Sequence, residues 1–308
     1  MYKVCAYITS YNDLEAVNNC IFALGQQTYP IEKIHIIDNS SQPITLEKEE
    51  NKITIDHHPE NIGISGGLKI GIKKAIAEGY DFLWTFDQDS QPLPDVLEKL
   101  LNNYDNFTKS GQQIGIIAPL PIDDITGQVW HGIVFDKYKF IETNDSKNQL
   151  NTYECDAVIT SGSLVSLSAA KKVDLPEEGF FIDAVDWDYC LKFLDKNYKI
   201  YVVKDAIIKH RFGNSRPDKA IFRKREVMIY NYSALRYYYM CRNHTFIETR
   251  LASLNGNLAR SVLRRFKFLA IILIKIIFYE RSQTLLKIWA CLKGTYDGFR
   301  GKLGKTWQ

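Results

Sequence analysis

The chain has 308 residues, of which 45% are hydrophobic and 24% charged, so it can bury a sizeable globular core and is neither disordered nor fibrous. The formal net charge is only +3, but it is unevenly distributed. Residues 250–308 contain twelve Lys and Arg against two acidic residues, whereas residues 1–249 carry a net charge of −7. The basic segment therefore indicates an anionic partner.

Short apolar runs alternate with helical patterns over the first third of the chain. Strand-like runs cover 4–8, 34–37, 53–56 and 81–86, and helical patterns cover 13–26, 65–78 and 94–104. This alternation predicts an α/β fold with a mostly parallel sheet. Ligands of such sheets bind beyond the carboxyl ends of the strands, where this sequence places clusters of polar residues.

The remainder of the chain is more mixed. Strand patterns cover 115–118, 129–135, 157–166 and 198–203, and a helix is predicted within 180–196. From Ile221 onward the pattern is helical, with a turn signal at Asn255 and Gly256. We therefore expect an α/β domain over 1–220 and a helical C-terminal region over 221–308.

Six widely spaced cysteines form no CxxC pair, which favours reduced thiols of a cytoplasmic protein over a disulfide framework or a zinc site. No signal peptide is predicted at the start of the sequence. No apolar run reaches the roughly 20 residues that span a bilayer.

The sharpest local signal is Asp87-Gln88-Asp89, which follows the fourth predicted strand. Two carboxylates two residues apart can bind one hard cation such as Mg²⁺ or Mn²⁺, together with substrate phosphates. His210, at the end of a later strand pattern, could complete an oxygen and nitrogen ligand set. The alternative is a solvated turn and a polar loop histidine, but the place of the triplet after a buried strand favours the metal site.

A second acidic group, Asp183, Asp186 and Asp188, lies among aromatic and aliphatic residues. Apolar neighbours raise the pKa of a carboxylate and can keep it available as a base near neutral pH. Asp183 and Asp186 are three residues apart, so they share one face if a helix starts here. The alternative is that Asp183 caps the helix and the other two are first-turn acids favoured by the helix dipole.

In this order, the motifs resemble those of the inverting glycosyltransferases of family 2, and most closely the bacterial L-rhamnosyltransferases. The resemblance covers about residues 2–245 and rests on Thr9-Ser10-Tyr11-Asn12, Asp38-Asn39-Ser40, Asn61-Ile62-Gly63 with Gly66-Gly67, Phe86 to Ser90, Asp183 to Asp188, and His210. Within this resemblance, the Asp-Gln-Asp-Ser form of the metal motif at residues 87–90 is the feature that indicates rhamnose as the donor sugar. Val185 stands where many relatives have Glu, but the rhamnosyltransferase-like members share the Val-Asp pair. The Gln-x-x-Arg-Trp motif of processive synthases is absent.

The resemblance implies the GT-A fold, with a nucleotide-sugar half in about residues 1–110 and an acceptor half in about 111–220. The nucleotide-sugar site that it implies comprises Thr9, Tyr11, Asn12, Asp38, Asn61, Gly63, Gly66, Asp87 and Gln88. Asp38 would accept a hydrogen bond from the pyrimidine base. Asp87, Asp89 and His210 would bind Mg²⁺ or Mn²⁺. Asp186 would be the general base, with Asp183 or Asp188 orienting the acceptor.

The resemblance implies metal-dependent, inverting transfer of L-rhamnose from dTDP-β-L-rhamnose to a saccharide during synthesis of a surface polysaccharide or O-antigen. The acceptor that it implies is a lipid-linked saccharide, as is common in this family. The alternatives are a UDP-sugar donor (galactofuranose, galactose or glucose) and a non-catalytic module that binds a nucleotide-sugar. Trp130, His131 and Trp187 are candidates for binding the acceptor, with a role in the core as the alternative.

The basic C-terminal region places Arg260, Arg264, Lys267 and Lys275 at helical spacing beside the apolar run 268–274. This pattern is typical of a helix that lies on a membrane surface. We therefore expect peripheral attachment to the inner face of the cytoplasmic membrane. A buried helix or a contact in a homo-oligomer is the alternative. Nucleic acid is disfavoured because the body of the chain is acidic and no strand interleaves aromatic with basic residues.

Overall fold

The computed structural model describes residues 1–46, 51–211, 216–219, 226–280 and 282–307. The first strands and helices alternate as predicted: β1 (Val4–Ser10), α1 (Leu14–Gly25), β2 (Lys33–Asp38), β3 (Ile53–His57), α2 (Gly63–Ala77), β4 (Phe82–Asp87), β5 (Ser90–Pro92) and α3 (Val96–Lys109). Strands β1 to β4 pair in parallel in the order β3-β2-β1-β4. Their carboxyl ends therefore meet at one edge of the sheet.

The middle of the chain completes this sheet. Its elements are β6 (Ile114–Asp123), β7 (Ile133–Asp136), β8 (Lys139–Glu142), β9 (Thr152–Cys155), β10 (Leu164–Ser166), α4 (Leu167–Ala170), α5 (Val185–Leu194) and β11 (Lys199–His210). The main sheet has nine strands in the order β3-β2-β1-β4-β10-β6-β11-β5, and β9 pairs with β11. Strand β10 is antiparallel to both of its neighbours, so the sheet is mixed but mostly parallel around β1. The predicted α/β fold is confirmed.

Three details of the predicted elements differ from the structure. Residues 157–163 form a loop and not a strand, because Gly162 has a φ of +82° and the chain turns there before β10. The strand predicted at 198–203 continues to His210. The helical pattern from Ile221 onward fails over Glu226–Ile229, which forms β13 and pairs with β12 (Arg216–Lys219). Residues 220–225 lie outside the described part of the chain.

Helices cover both faces of the sheet, as the alternation of β1 requires. Val4, Ala6 and Ile8 pack in the core layer that includes α1 and α3. Cys5 and Tyr7 point to the opposite face, where they pack in the layer that includes α2 and α5. All seven residues of β1 are buried, which makes it the centre of the domain.

The C-terminal region consists of α6 (Ala234–Leu254), α7 (Leu258–Tyr279) and α8 (Thr284–Phe299). A separate apolar cluster joins the three helices through residues such as Tyr238, Ile276 and Cys291. Within the described residues, no helix combines the length and hydropathy needed to cross a bilayer. All six cysteines are buried free thiols.

Close packing of α2 on β1 provides a test of the core. A Cβ at Gly71 would lie 2.6 Å from Cδ2 of Tyr7, whose ring is fully buried. Gly71→Ala should therefore lower the free energy of unfolding by about 1–3 kcal/mol, measured by thermal and urea denaturation. The matched control is Gly25→Ala in α1, where a Cβ would meet nothing within 4 Å. Equal losses in the two variants would contradict this packing.

Candidate active site

The carboxyl edge of the parallel strands brings the first predicted residues together. Thr9 is paired in register with Asp87 across β1 and β4, and Ser10 with Asp38 across β1 and β2. Asp87 Oδ2 accepts a hydrogen bond of 2.8 Å from the Ser161 hydroxyl, while its Oδ1 is buried and has no hydrogen-bond partner among the described residues. An oxygen in this state is suited to binding a cation.

Asp87, Asp89 and His210 form a possible metal site. One ligand atom from each residue lies within 4.8 Å of the others. His210 reaches the triplet because β11 pairs with β5, which brings its Nδ1 to 2.8 Å from the Ser90 hydroxyl and 3.3 Å from Asp89 Oδ1. Burial raises the pKa of the Asp89 carboxyl above its usual range, an effect that His210 opposes and Asp87 increases. Two carboxylates and an imidazole suit Mn²⁺. They can also bind Mg²⁺, which usually keeps several water ligands beside one or two carboxylates.

The other predicted nucleotide-sugar residues line the same edge. Tyr11 and Gln88 pair reciprocally, since the Tyr11 N–H donates to Gln88 Oε1 and the Gln88 amide donates to the Tyr11 carbonyl. The Asn12 N–H donates to the Ser40 hydroxyl, which ties the loops after β1 and β2 together. A cavity of about 210 Å³ lies beside them and is lined by residues that include Asp13, Asn19, Asp89 and Lys209.

Asp38 is fully buried, and its two oxygens accept hydrogen bonds from the N–H groups of Ser40 and Ile44. These contacts shape the loop after β2, and the base contact predicted for Asp38 stays a prediction. The Asn61 side chain accepts from the Gly63 N–H. Gly63 has a φ of +73°, and a Cβ there would collide with the carbonyl of Phe181. Gly63 thus brings the start of α2 against the segment that carries the second acidic group.

In that second group, Asp183 and Asp186 differ sharply in protonation. Burial raises the pKa of Asp186 to about 7, and the negative charge of Asp183 adds to the shift. Burial also acts on Asp183, but hydrogen bonding from His244 and the charge of Arg236 outweigh it and lower the pKa of Asp183. One carboxylate is therefore held ionised beside another that titrates near neutral pH, which is an arrangement suited to a general base.

The two partners of Asp183 come from α6. Arg236 Nε lies 3.4 Å from Asp183 Oδ2, and its guanidinium group stacks over the Tyr232 ring at 4.4 Å. His244 Nε2 lies 3.4 Å from Asp183 Oδ1. The charge of Asp87 acts on both Asp186 and Arg236. The two acidic groups that the sequence predicted separately therefore belong to one electrostatic environment.

Asp188 has different surroundings from the other two acids. Its Oδ2 is 2.6 Å from the Lys192 ammonium group, one turn along α5, and also accepts from the Glu177 N–H. These contacts hold the end of the preceding loop against α5. Its predicted role toward an acceptor stays a prediction.

The three predicted acceptor residues line a single cavity of about 100 Å³, mostly apolar, which also includes Ser161. Trp130 and His131 come from the segment before β7, whereas Trp187 follows Asp186 in α5. The Trp187 ring stacks on His244 with centroids 4.3 Å apart. Nδ1 of His131 is buried without a hydrogen-bond partner in the described structure. Through Ser161 and Trp187, this cavity adjoins both acidic groups.

The sequence interpretation missed Ser161, Arg236 and His244. Ser161 lies in a stretch that was predicted as a strand, although the run Thr160-Ser161-Gly162-Ser163 has the composition of a loop. Arg236 and His244 are eight residues apart, so they face the same side of α6. That spacing was the available signal, but nothing local connects it with Asp183.

The sequence model of the family described as "Glycosyl transferase family 2" matches residues 5–164, about half of the chain, including Asp87 and Asp89. This chain belongs to glycosyl transferase family 2. It is therefore a glycosyltransferase, with a nucleotide-sugar donor and a saccharide acceptor. The match ends before Asp186 and His210, so the family assignment leaves their roles open.

Among curated proteins, the chain is similar to the dTDP-rhamnosyl transferase RfbF of Shigella flexneri, with 26% identity over 244 residues and 78% coverage of each chain. Among solved structures, it resembles GalNAc-T7 with UDP, GalNAc and Mn²⁺ (TM-score 0.55, 14% identity, 69% of this chain and 43% of that one). It also resembles residues 1–349 of S. aureus TarS (TM-score 0.52, 12% identity, 96% and 80%). These structural likenesses confirm the GT-A fold. The chain spans less than half of the GalNAc-T7 chain.

The raised pKa of Asp186 predicts an unusual pH dependence of stability. A folded-state pKa near 7, against about 4 in the unfolded chain, means that the native state binds more protons between these values. Its contribution to stability is therefore lost as the pH rises through 7. Asp186→Asn should be more stable than the wild type at pH 8 by a margin that shrinks toward pH 5, measured by thermal unfolding.

The control for this prediction is Asp195→Asn, which alters an exposed acid just after the same helix. Its difference from the wild type should not change between pH 5 and pH 8. A constant difference for Asp186→Asn as well would show that Asp186 does not titrate in this range.

Proposed function

We propose that this protein is a metal-dependent, inverting rhamnosyltransferase that uses dTDP-β-L-rhamnose. The main support is that the charge of Asp87, a member of the cluster of possible metal ligands, acts on Asp186, a carboxyl group at the start of α5 whose pKa burial raises to about 7. The rhamnosyl donor is supported by the similarity to RfbF and by the Asp-Gln-Asp-Ser sequence.

Asp87, Asp89 and His210 would hold Mg²⁺ or Mn²⁺. When bound, the cation would offset the charge that develops on the diphosphate as it leaves the sugar. The Ser90 hydroxyl fixes the orientation of the His210 ring through Nδ1, and Ser161 orients the Asp87 carboxylate through Oδ2. Both ligands are thus held by neighbours before the donor binds.

Asp186 would take the proton from the acceptor hydroxyl as its oxygen attacks the anomeric carbon. The ionised Asp183 beside it strengthens this base, because a nearby negative charge raises the proton affinity of a carboxylate. Arg236 and His244 keep Asp183 ionised. A single displacement inverts the configuration, so a β-L-rhamnosyl donor would give an α-L-rhamnoside.

The cavity lined by Trp130, His131 and Trp187 is the proposed acceptor subsite. Aromatic walls suit the apolar face of a sugar ring, and the buried Nδ1 of His131 can exchange a hydrogen bond with a sugar hydroxyl. The acceptor is proposed to be a saccharide carried on a lipid at the cytoplasmic face of the membrane, as an intermediate of a surface polysaccharide or O-antigen.

The donor can be tested by thermal shift of the purified protein with dTDP-L-rhamnose, dTDP, UDP and UDP-linked galactofuranose, galactose and glucose, each with Mn²⁺, Mg²⁺ or EDTA. A ligand at about 100 times its dissociation constant should stabilise the fold by about 2.7 kcal/mol, so the true donor should stand out. We expect the largest shift with dTDP-L-rhamnose and its loss in EDTA. A larger shift with a UDP-sugar would contradict the proposed donor.

The base can be tested with Asp186→Asn in a rhamnosyl-transfer assay. Removal of a general base should lower turnover by roughly 10²–10⁴-fold, while the affinity for dTDP stays near that of the wild type. Asp195→Asn serves as the control and should retain full turnover. Near-normal turnover of Asp186→Asn would remove Asp186 from this role.

We also propose that α7 and α8 bind the membrane surface through their outer face. This face comprises the exposed side chains Leu263, Phe266, Ile271, Ile274, Ile277, Phe278, Leu285, Trp289, Leu292 and Tyr296. Arg260, Lys267 and Arg300 are exposed on the same helices or just after them. Of the other predicted cations, Arg264 pairs with Glu248, and Lys275 donates to the Met228 carbonyl.

Charge favours anionic lipid over a second copy of the chain. The two acidic residues after Arg250 are Glu280 and Asp297; both are buried and pair with Lys287 and Lys293. The outer face therefore combines apolar side chains with exposed cations. Two such faces in a symmetric dimer would bring like charges together, whereas each cation near anionic lipid contributes on the order of 1 kcal/mol.

Flotation with vesicles tests this surface. The double variant Phe266→Gln with Trp289→Gln should lose flotation with anionic vesicles, and the wild type should float less at high salt. The control is Phe22→Gln on α1, where an equally apolar side chain is 69% exposed. Unchanged flotation of the double variant would contradict the proposal, most clearly if gel filtration showed that the wild type is a dimer and the variant a monomer.

A further inference from the structure

The segment just before the candidate base, Asp186, has an unusual backbone. Within residues 180–184, here called the base turn, Phe181, Asp183 and Ala184 have φ values of 62°, 70° and 58°. Residues with a side chain seldom adopt these left-handed values, and they keep them only where the surrounding structure fixes the chain. None of the three is glycine, so the turn needs external support.

Much of that support comes from the side-chain amide of Asn243 on α6. Asn243 Nδ2 lies 2.9 Å from the Phe180 carbonyl oxygen, 2.8 Å from that of Ile182 and 2.8 Å from that of Asp183. Its Oδ1 accepts a hydrogen bond of 2.7 Å from Arg242 Nε, which fixes the orientation of the amide. Asn243 is fully buried, so water does not compete for these contacts.

Arg242 supports the start of the base turn and also binds the segment that follows α8. Its Nη2 donates to the carbonyls of Gly179 and Phe180, at 2.6 and 3.1 Å, and its Nη1 donates to the carbonyl of Gly304. The guanidinium group is buried over the Tyr239 ring at 4.6 Å. From the opposite direction, the Ser65 N–H donates to the Phe181 carbonyl at 3.2 Å. Each carbonyl from Gly179 to Asp183 is therefore paired.

We infer that Arg242 and Asn243 are positioning residues for catalysis: they hold the base turn in its left-handed conformation and so set the relative placement of Asp183 and Asp186. Neither residue needs to contact a substrate. The inference rests on the proposed role of Asp186 as the base. Since a displacement of about 1 Å in a reacting group can cost roughly 100-fold in rate, loss of this support should lower turnover far more than donor binding.

The first test compares Asn243→Ala and the milder Asn243→Ser with the wild type, with rates expressed per folded molecule. We expect kcat to fall by roughly 10- to 100-fold in Asn243→Ala and less in Asn243→Ser, with the dTDP affinity within about twofold of the wild type. The control is Thr249→Ala, which removes another buried polar group of α6, whose hydroxyl donates to the carbonyls of Thr245 and Phe246 in the same helix. Its kcat per folded molecule should not change.

A second substitution, Ala184→Gly, distinguishes a role of Asn243 in positioning the base from a role in stabilising the fold as a whole. Ala184→Gly relaxes one left-handed residue, so it should restore part of the kcat lost in Asn243→Ala. A purely structural role for Asn243 predicts lower melting temperatures with an unchanged kcat per folded molecule, and no specific rescue by Ala184→Gly. That result would overturn the inference, as would failure of both Asn243 variants to fold with or without Ala184→Gly.

Hydrogen exchange distinguishes this inference from the proposed function. Asn243→Ala should speed exchange of the amides in 181–186 without changing those in β4. If exchange speeds up in Asn243→Ala but the wild type transfers no rhamnose, the inference that Asn243 holds the base turn stands, and the proposed donor or reaction is refuted. If the wild type transfers rhamnose normally but exchange in Asn243→Ala is unchanged, only the inference that Asn243 holds the base turn is refuted.

Discussion

Repulsion among carboxylates that share a partly buried space is the constraint on which the candidate active site depends. Asp87, Asp89, Asp183 and Asp186 act on one another directly or through Arg236. Such a group is stable only if some members are neutralised and others are paired. Here Asp186 keeps its proton up to about pH 7, Asp183 is paired with α6, and Asp89 lies against His210.

This distribution of charge gives the two acidic groups different chemical properties. The pair at the end of β4 has oxygens turned toward a common point, which suits a cation. The pair at the start of α5 consists of Asp186, a proton acceptor that titrates near neutral pH, and Asp183, which stays ionised. The proposed reaction would use both properties, because departure of a diphosphate and activation of a hydroxyl make opposite demands on the local charge.

The half of this site that depends on parallel strands was predictable from the sequence. Alternating strands and helices predict where the strands end, and parallel strands place those ends at one edge of the sheet, where Thr9 and Asp87 pair. The contact with His210 was harder to predict. It depends on β5, a strand of three residues whose pairing with β11 no local pattern indicates.

The contribution of α6 could not be predicted in the same way. The sequence pattern predicts a helix in this region but does not indicate which face of the helix turns toward the sheet. Arg236, Asn243 and His244 resemble ordinary polar residues of a surface helix, but tertiary packing directs them to the turn around Asp183. Ser161 was missed for a simpler reason, because an apolar run on either side hid a short loop.

The last described residues return to the beginning of the domain. The Gly304 carbonyl accepts from Arg242, and the Lys305 ammonium group reaches the backbone carbonyls of Glu60 and Asn61. The residues that follow α8 therefore reach both Arg242, which holds the base turn, and the loop before α2. The candidate site thus draws its support from segments more than 240 residues apart in the chain.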